Sequence, residues 1–527
     1  MARVPLLAPF STSYAPTGMV SSIDGLASGA GVAALRAGGT AADAAIAASA
    51  VLTVTAQHMC GLGGDLFALV HRSGEARPAV LNASGRAGSG ADPERLRAEG
   101  HVSMPLTGDV RSVPVPGCVD GWVTLHARFG RLPLGEVLEP ARRLAAEGFP
   151  VLPRVAAAVR AVAHLPGAAD YTAGGTLVPG ALVRRPGVAR ALVAVAGGGR
   201  KAFYGGEFGE RLLALGEGEY AEADLERSQA DWVEPLGLEA WGRRLWTVPP
   251  NSQGYLTLAG AWIAERLELP DPGDGLWAHL LVEAARQAAY DRNDVLHEGA
   301  DGAALTAEGR LEPRLAAIER ERAAVLGDSY GAGGTIFLCA ADGEGMGVSL
   351  IQSNFRGWGS QLIVPELGIF LQNRGAGFLL ERGHPAEYGP GRRPPHTLSP
   401  SLVTAPSGDL DLLVGTMGGH SQPQILLQLL ARRLAAGQSP GEAVASPRWV
   451  LDGPGVDTWV GRGQVTVRVE NHAPAAWFRG LEARGHRVER APSWAGELGH
   501  AHLIAVEDGG YAGAADPRSE GGVALGY

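Results

Sequence analysis

Cysteine is scarce in this chain. Cys60, Cys118 and Cys339 are three in 527 residues, odd in number and without metal or redox spacing. A disulfide framework is excluded, and a reducing compartment is the simpler setting. Basic clusters are missing too. The net charge is −10, and nothing in the sequence would track a phosphate backbone, so nucleic acid is not expected as a partner. No run approaches the roughly 20 apolar residues of a membrane span. Met1 to Phe10 holds one Arg and an apolar stretch too brief for a secretory segment. A soluble, cytoplasmic protein with no membrane partner is expected. Although Gly numbers 77 and Pro 35, they follow no G-X-Y period, which rules out collagen. His58, His71, His279, His396 and His420 show no paired ligand spacing. His500 and His502 are two apart, so a strand would put both on one face, where they read as strand-surface residues with no third ligand. No metal or cofactor is expected.

What is present is ample apolar material: 46% of the residues are hydrophobic, enough for one large core or two ordinary ones. Leu26 to Leu35 reads as a helix ended by Gly38-Gly39. Thr40 caps a second, Ala-rich helix over Ala41 to Leu52, with Asp43 three residues on. Leu66 to Val70 and Ala79 to Leu81 read as strands around an Arg72-Ser73-Gly74 turn. Helices are expected at Val119 to Arg128, Leu134 to Glu147, Val155 to Ala163, Gln253 to Leu267 and Leu276 to Arg292. Residues 299–334, charged and Gly-bearing, read as an exposed segment. Beyond them come a hairpin (Thr335 to Ala341, Gly347 to Ile351), strands at 401–404 and 410–414, a helix from Pro423 to Ala436, and a hairpin from Ala501 to Ala512. Helices thus crowd the first part and strands the second, which predicts helix packed on sheet, with neither part able to bury its face alone.

Four stretches carry chemistry. Gly331-Ala332-Gly333-Gly334-Thr335 runs straight into the apolar strand from Ile336. A strand-initial Thr is also an ordinary β-branched choice. The chemical reading is that glycines let the Thr335 hydroxyl approach the Gly334 carbonyl. Cleavage there would free an α-amine with a pKa of about 7.7–8.0, near the range of a general base. Gly327-Asp328-Ser329-Tyr330-Gly331 fits G-x-S-x-G, but a charged helical stretch precedes it and a glycine run follows, so the strand-to-helix context is missing. Gly415-Thr416-Met417-Gly418-Gly419-His420 joins a strand to a helix, as either a tight turn or an oxyanion hole. Arg86, after a strand and a small-residue turn, suits a carboxylate clamp or a plain surface charge.

Together these residues resemble the γ-glutamyltranspeptidase family of N-terminal nucleophile hydrolases, which are made as self-cleaving precursors. Further matches fall in the family's order along most of the chain. They include Ala41-Ala42-Asp43-Ala44-Ala45, Gly61-Leu62-Gly63-Gly64, Val115-Pro116-Gly117, Gln253-Gly254, Gly359-Ser360, Arg393-Pro394, Ser399-Pro400 and Asp516-Pro517-Arg518. The resemblance implies an α+β, four-layer αββα fold, cut into fragments 1–334 and 335–527 that stay together as one intertwined unit. The fragments would form a heterodimer, with a dimer of such heterodimers as a further assembly. It implies Thr335 as nucleophile, Gly334-Thr335 as the cleaved bond, and Gly418 and Gly419 as the oxyanion pair. Arg86 would hold a substrate carboxylate, Asn354 a substrate amine, and His396 and Thr397 stand where a serine pair binds the same carboxylate. The implied partner is a small-molecule amide.

Two positions depart from the family. Thr335-Ile336-Phe337 replaces its Thr-Thr-His. Its acid for the substrate α-amino group should fall near Gly377, in Asn373-Arg374-Gly375-Ala376-Gly377-Phe378, where there is none. A buried ammonium without a counter-charge is costly. The expected activity is therefore hydrolysis or transfer of a γ-glutamyl or similar carboxylate-bearing amide. The alternatives are a small non-glutamyl amide such as oxamate, a serine hydrolase using Ser329, and an inactive member acting as a binding protein.

Overall fold

A computed structural model describes residues 11–172, 175–326, 334–453 and 465–527. Two seven-stranded sheets dominate it. In chain order their strands are β1 (Ser13–Ala15), β2 (Met19–Ser22), β3 (Asp65–His71), β4 (Ala79–Ala83), β5 (Asp231–Val233), β6 (Leu236–Ala240), β7 (Arg243–Thr247), β8 (Gly334–Ala341), β9 (Gly347–Phe355), β10 (Ser401–Thr404), β11 (Leu410–Thr416), β12 (Ala501–Glu507), β13 (Gly510–Ala515) and β14 (Val523–Gly526). One sheet runs β14-β2-β8-β9-β3-β4-β5 and the other β1-β13-β12-β11-β10-β7-β6. Their neighbouring strands pair antiparallel.

Alternation along the strands sorts the core. Phe67, Leu69, Phe337, Cys339 and Ile351 of one sheet meet Trp246, Leu402, Leu413 and Ile504 of the other. The intervening residues Leu66, Ala68, Ile336 and Leu338 point away, into a cluster with the helices α1 (Gly25–Arg36), α2 (Ala41–Thr55), α3 (Cys118–Phe129) and α4 (Leu134–Glu147). On the far side Val403, Leu412 and Val414 pack with α5 (Tyr255–Glu265), α6 (Gly275–Ala289) and α7 (Gln422–Leu430). A period of two lets a strand serve two cores at once.

Helix α2 forms as its sequence predicts. Thr40 Oγ1 accepts from the Asp43 N–H at 3.2 Å, and Asp43 Oδ2 accepts from the Thr40 N–H at 2.9 Å. Every residue of α2 is buried, and its alanines let neighbours approach from all sides. Two expectations are corrected, that for residues 299–334 and that for His500 and His502. Residues 299–334 are not simply an exposed segment: helices at Gly302–Leu305 and Glu308–Ala316 bury Leu305 and Leu311 in the core, while 327–333 lie outside the described residues. The first-part strands form as expected at Asp65–His71 and Ala79–Ala83, and each sheet takes strands from before and after Thr335. His500 and His502 are buried, not on a strand surface. The helix expected from Val155 becomes Pro153–Ala158 plus a 3-10 turn, and the one from Pro423 ends in a π turn at Ala431–Ala435. Among the described residues no helix is long and apolar enough to cross a membrane.

Gly415 on β11 lies against the Phe337 ring of the opposite sheet, with no room for a Cβ. Gly415→Ala must push the sheets apart. It should lose about 1–3 kcal/mol of stability, read as a lowered urea midpoint; an unchanged midpoint would mean that the sheets do not meet closely there.

Candidate functional site

The pairing of β8 with β9 slips by one residue at Thr335: Gly334 pairs with Phe355, but Ile336 pairs with Gln352. The bulge re-aims the Thr335 side chain. Its hydroxyl donates to the Gly334 carbonyl oxygen at 2.7 Å and lies 3.1 Å from Ser353 Oγ. Ser353 Oγ donates to the same carbonyl oxygen at 2.8 Å and accepts from the Phe355 N–H at 2.7 Å. Thr335 is 1% exposed. Phe355 has φ 74, a left-handed backbone rare outside glycine. Two hydroxyls therefore converge on one peptide carbonyl inside the core.

The row continues across the sheet. Ser353 pairs with Asp65 on β3. Asp65 Oδ2 accepts from Arg374 Nε at 3.0 Å and from His396 Nε2 at 2.7 Å. The Leu398 N–H donates to His396 Nδ1 at 3.2 Å, which leaves the ring proton on Nε2. Burial by itself would raise the Asp65 pKa, yet Arg374 and His396 hold it below the ordinary carboxylate value. Burial, then the Arg374 charge, lowers His396 to about 4 against the pull of Asp65, so the ring is neutral at pH 7. Arg374 Nη1 donates to Thr397 Oγ1 at 3.0 Å. His396 and Thr397 thus sit beside Asp65 and Arg374, two groups that sequence reasoning had not singled out. Their only signals were Asp65 following Gly63-Gly64 and Arg374 following Asn373.

The glycine turn lies after β11. Gly418 has φ 141 and Gly419 φ 57, values that side chains rarely adopt. Gln253 Nε2 donates to Gly419 O and to Thr397 O, each at 3.0 Å, and ties this turn to the Thr397 segment. His420, next in the chain, is held well below its ordinary pKa by burial, with the charges of Arg292, Arg374 and Arg356 adding to the effect. The turn thus lies in the field of the arginine beside Asp65.

Arg86 sits elsewhere in the charge pattern. Its Nη1 donates to Glu298 Oε1 at 2.9 Å and its Nη2 to Asp231 Oδ2 at 2.6 Å. Arg393 shares the same Asp231 oxygen at 2.7 Å. Both carboxylates are partly exposed, at 47% and 37% of the side chain, whereas both guanidinium groups are buried. Asn354, fully buried, donates to Gln57 O at 3.1 Å, and its Oδ1 has no partner. Ser329 lies outside the described residues. Among them, His279, Glu283 and His486 bring possible metal-ligand atoms within 4.8 Å of one another. They are already paired internally: Arg286 donates to Glu283 Oε1 at 2.9 Å, and the two histidine rings meet at 2.8 Å.

The sequence model described as Gamma-glutamyltranspeptidase matches residues 27–526. The chain is 35% identical to the glutathione hydrolase-like YwrD proenzyme of Bacillus subtilis, over 95% of this chain and 97% of that protein. It is 34% identical to the oxamate amidohydrolase proenzyme of Klebsiella pneumoniae, over 98% and 100%. Among solved structures, the cephalosporin acylase of Bacillus halodurans superposes with a TM-score of 0.90 at 32% identity, covering 100% of this chain and 99% of that one.

His396 yields a pH prediction. Its folded pKa of about 4 lies below the unfolded value of about 6.5. Between these the unfolded chain binds a proton that the folded chain refuses. The stability contributed by neutral His396 is full above about pH 6.5 and is lost as pH falls toward about 4. In His396→Gln that loss disappears. The variant's denaturation midpoint should fall less than the parent's between about pH 7 and about pH 4.5; parallel curves would contradict this.

Proposed function

The chain belongs to the γ-glutamyltranspeptidase family and is an amidohydrolase of the N-terminal nucleophile kind, and from that premise we propose that Thr335 is its nucleophile, freed by self-cleavage after Gly334. The observation that carries this reading is the pair of hydroxyls on the Gly334 carbonyl, Thr335 at 2.7 Å and Ser353 at 2.8 Å. In the proposed reaction Thr335 Oγ bonds to the Gly334 carbonyl carbon. The Gly334–Thr335 C–N bond breaks, and the hydroxyl proton ends on the departing nitrogen. Ser353 donates to the oxygen as it gains charge. Water then hydrolyses the Gly334 ester, leaving fragments 1–334 and 335–527 as a heterodimer on a four-layer αββα scaffold.

In the mature enzyme the free Thr335 amine acts as general base for its own hydroxyl, which attacks the substrate amide. The backbone N–H groups of Gly418 and Gly419 receive the oxyanion. Their positive φ angles support this role, since a turn that bares consecutive N–H groups is open chiefly to glycine. Arg86 holds a substrate carboxylate, with the partly exposed Asp231 or Glu298 giving way. Asn354, His396 and Thr397 complete the contacts, and the unpartnered Asn354 Oδ1 is an acceptor ready for a substrate amine. Water or an acceptor amine resolves the acyl-enzyme. The substrate is a carboxylate-bearing amide, and oxamate, named for one relative, is itself one.

Intact-mass measurement checks the processing step. The parent should give two fragments joined originally at Gly334-Thr335, and Thr335→Ala should remain a single chain of 54.5 kDa. Ser353→Ala should still fold but process more slowly by about 10²–10³-fold, the cost of one oxyanion donor. Ser329→Ala should process and turn over normally; loss of turnover in that variant alone would favour the serine-hydrolase reading.

A further inference from the structure

The glycine turn is loose by composition. Two consecutive glycines at positive φ can swing to other conformations at little cost, so the direction of their N–H groups has to be fixed by their neighbours. The carbonyls of the turn are where it is held. Thr416 Oγ1 donates to Met417 O at 2.7 Å, and the Ser421 N–H donates to Gly418 O at 3.0 Å. Gly419 O accepts from the Gln422 N–H and from Gln253 Nε2, the latter at 3.0 Å. Of these four donors only Gln253 comes from outside residues 416–422. Holding Gly419 O fixes the ψ of the second loose residue.

Gln253 is itself rigidly placed. It is fully buried, just ahead of α5. Its backbone N–H donates to His396 O at 2.8 Å, and the His396 N–H donates to Asn251 O at 2.8 Å. A Cβ on the next residue, Gly254, would run into the Thr247 side chain. The same carboxamide nitrogen donates to Thr397 O at 3.0 Å, and Arg292 Nη1 donates to Gln253 Oε1 at 3.4 Å. A cation on one side and two carbonyls on the other leave one orientation for the amide. Two carbonyls need two donors, and the arginine charges around His420 make this a poor place for a cationic one. A neutral carboxamide meets both requirements. A second rung runs parallel to it, from the Ser399 N–H to Gln422 Oε1 at 3.0 Å.

We propose that Gln253 is a positioning residue of the oxyanion hole, holding the Gly418-Gly419 turn against the Thr397 segment so that both N–H groups are aimed before the substrate carbonyl is attacked. The inference rests on Gly418 and Gly419 as the oxyanion pair and adds what sets their direction.

Gln253→Leu removes both donors without adding charge. Self-cleavage should run to completion in this variant, because Ser353 and not the glycine turn serves the Gly334 carbonyl. On glutaryl-p-nitroanilide, a carboxylate-bearing amide, kcat should fall by about tenfold to a hundredfold, the scale of a misplaced catalytic group. KM should change less, since the oxyanion forms only as the bond is attacked. Crystal structures of the processed parent and of the variant read the turn itself, with or without turnover of that probe. The Gly418 and Gly419 N–H groups should point in new directions in Gln253→Leu. An unmoved turn overturns the inference, whatever happens to kcat. A moved turn with unchanged kcat sinks the oxyanion reading and leaves Gln253 as the residue that sets the turn. If Gln253→Leu fails to fold, Gln253→Asn, one methylene shorter and unable to reach both carbonyls, takes its place in each measurement with the same expected outcomes.

Discussion

The Gly334 carbonyl oxygen accepts from Thr335 and Ser353 at once, and the fold is organised around keeping it there. The contact needs a bulge in β8, because a regular strand would not turn the Thr335 hydroxyl back on its own preceding peptide. It needs β9 to end in the left-handed backbone of Phe355, whose N–H holds Ser353 in place. Holding such a bulge costs free energy that local sequence cannot supply. The close packing of Phe337 against Gly415, two residues along β8 and across the layer, offsets it by fixing one sheet on the other.

Charge follows the same geometry. The dry interior around Asp65 is a costly place for ions, and removing one member of a buried pair costs about 3–5 kcal/mol. Asp65 is that partner for Arg374 and for the neutral His396. Arg86 and Arg393 are matched instead by Asp231 and Glu298, which still face solvent. One guanidinium group is thus locked at the start of β3, and two are clamped by carboxylates that solvent can reach.

The sequence made the local devices legible and hid the ones made across strands. The Thr40-Asp43 cap, the hairpin from Thr335, the Gly418-Gly419 turn and the Gly334-Thr335 junction each lie within a few residues and carry their own signature. Ser353 and Asp65 do not, because Ser353 matters through its bond to Gly334 across the hairpin and Asp65 through its pairing with Ser353 between strands far apart in the chain. Arg374 was visible as a residue of the loop that lacks an acid, but its partner Asp65 lies 309 positions earlier. Composition misjudged 299–334, where short helices bury Leu305 and Leu311 among many charges. Spacing alone misplaced His500 and His502 on a surface, because their partners Arg154 and Ser21 come from the first part of the chain.

The central claim is that a bond in the substrate is exchanged for one to Thr335 Oγ. Quenching the enzyme in acid during turnover of an acyl p-nitroanilide and sequencing its peptides by tandem mass spectrometry tests that directly. The account predicts an acyl group on the hydroxyl of a peptide that begins at Thr335. An adduct on Ser329, or on any other side chain while Thr335 stays unmodified, would contradict it.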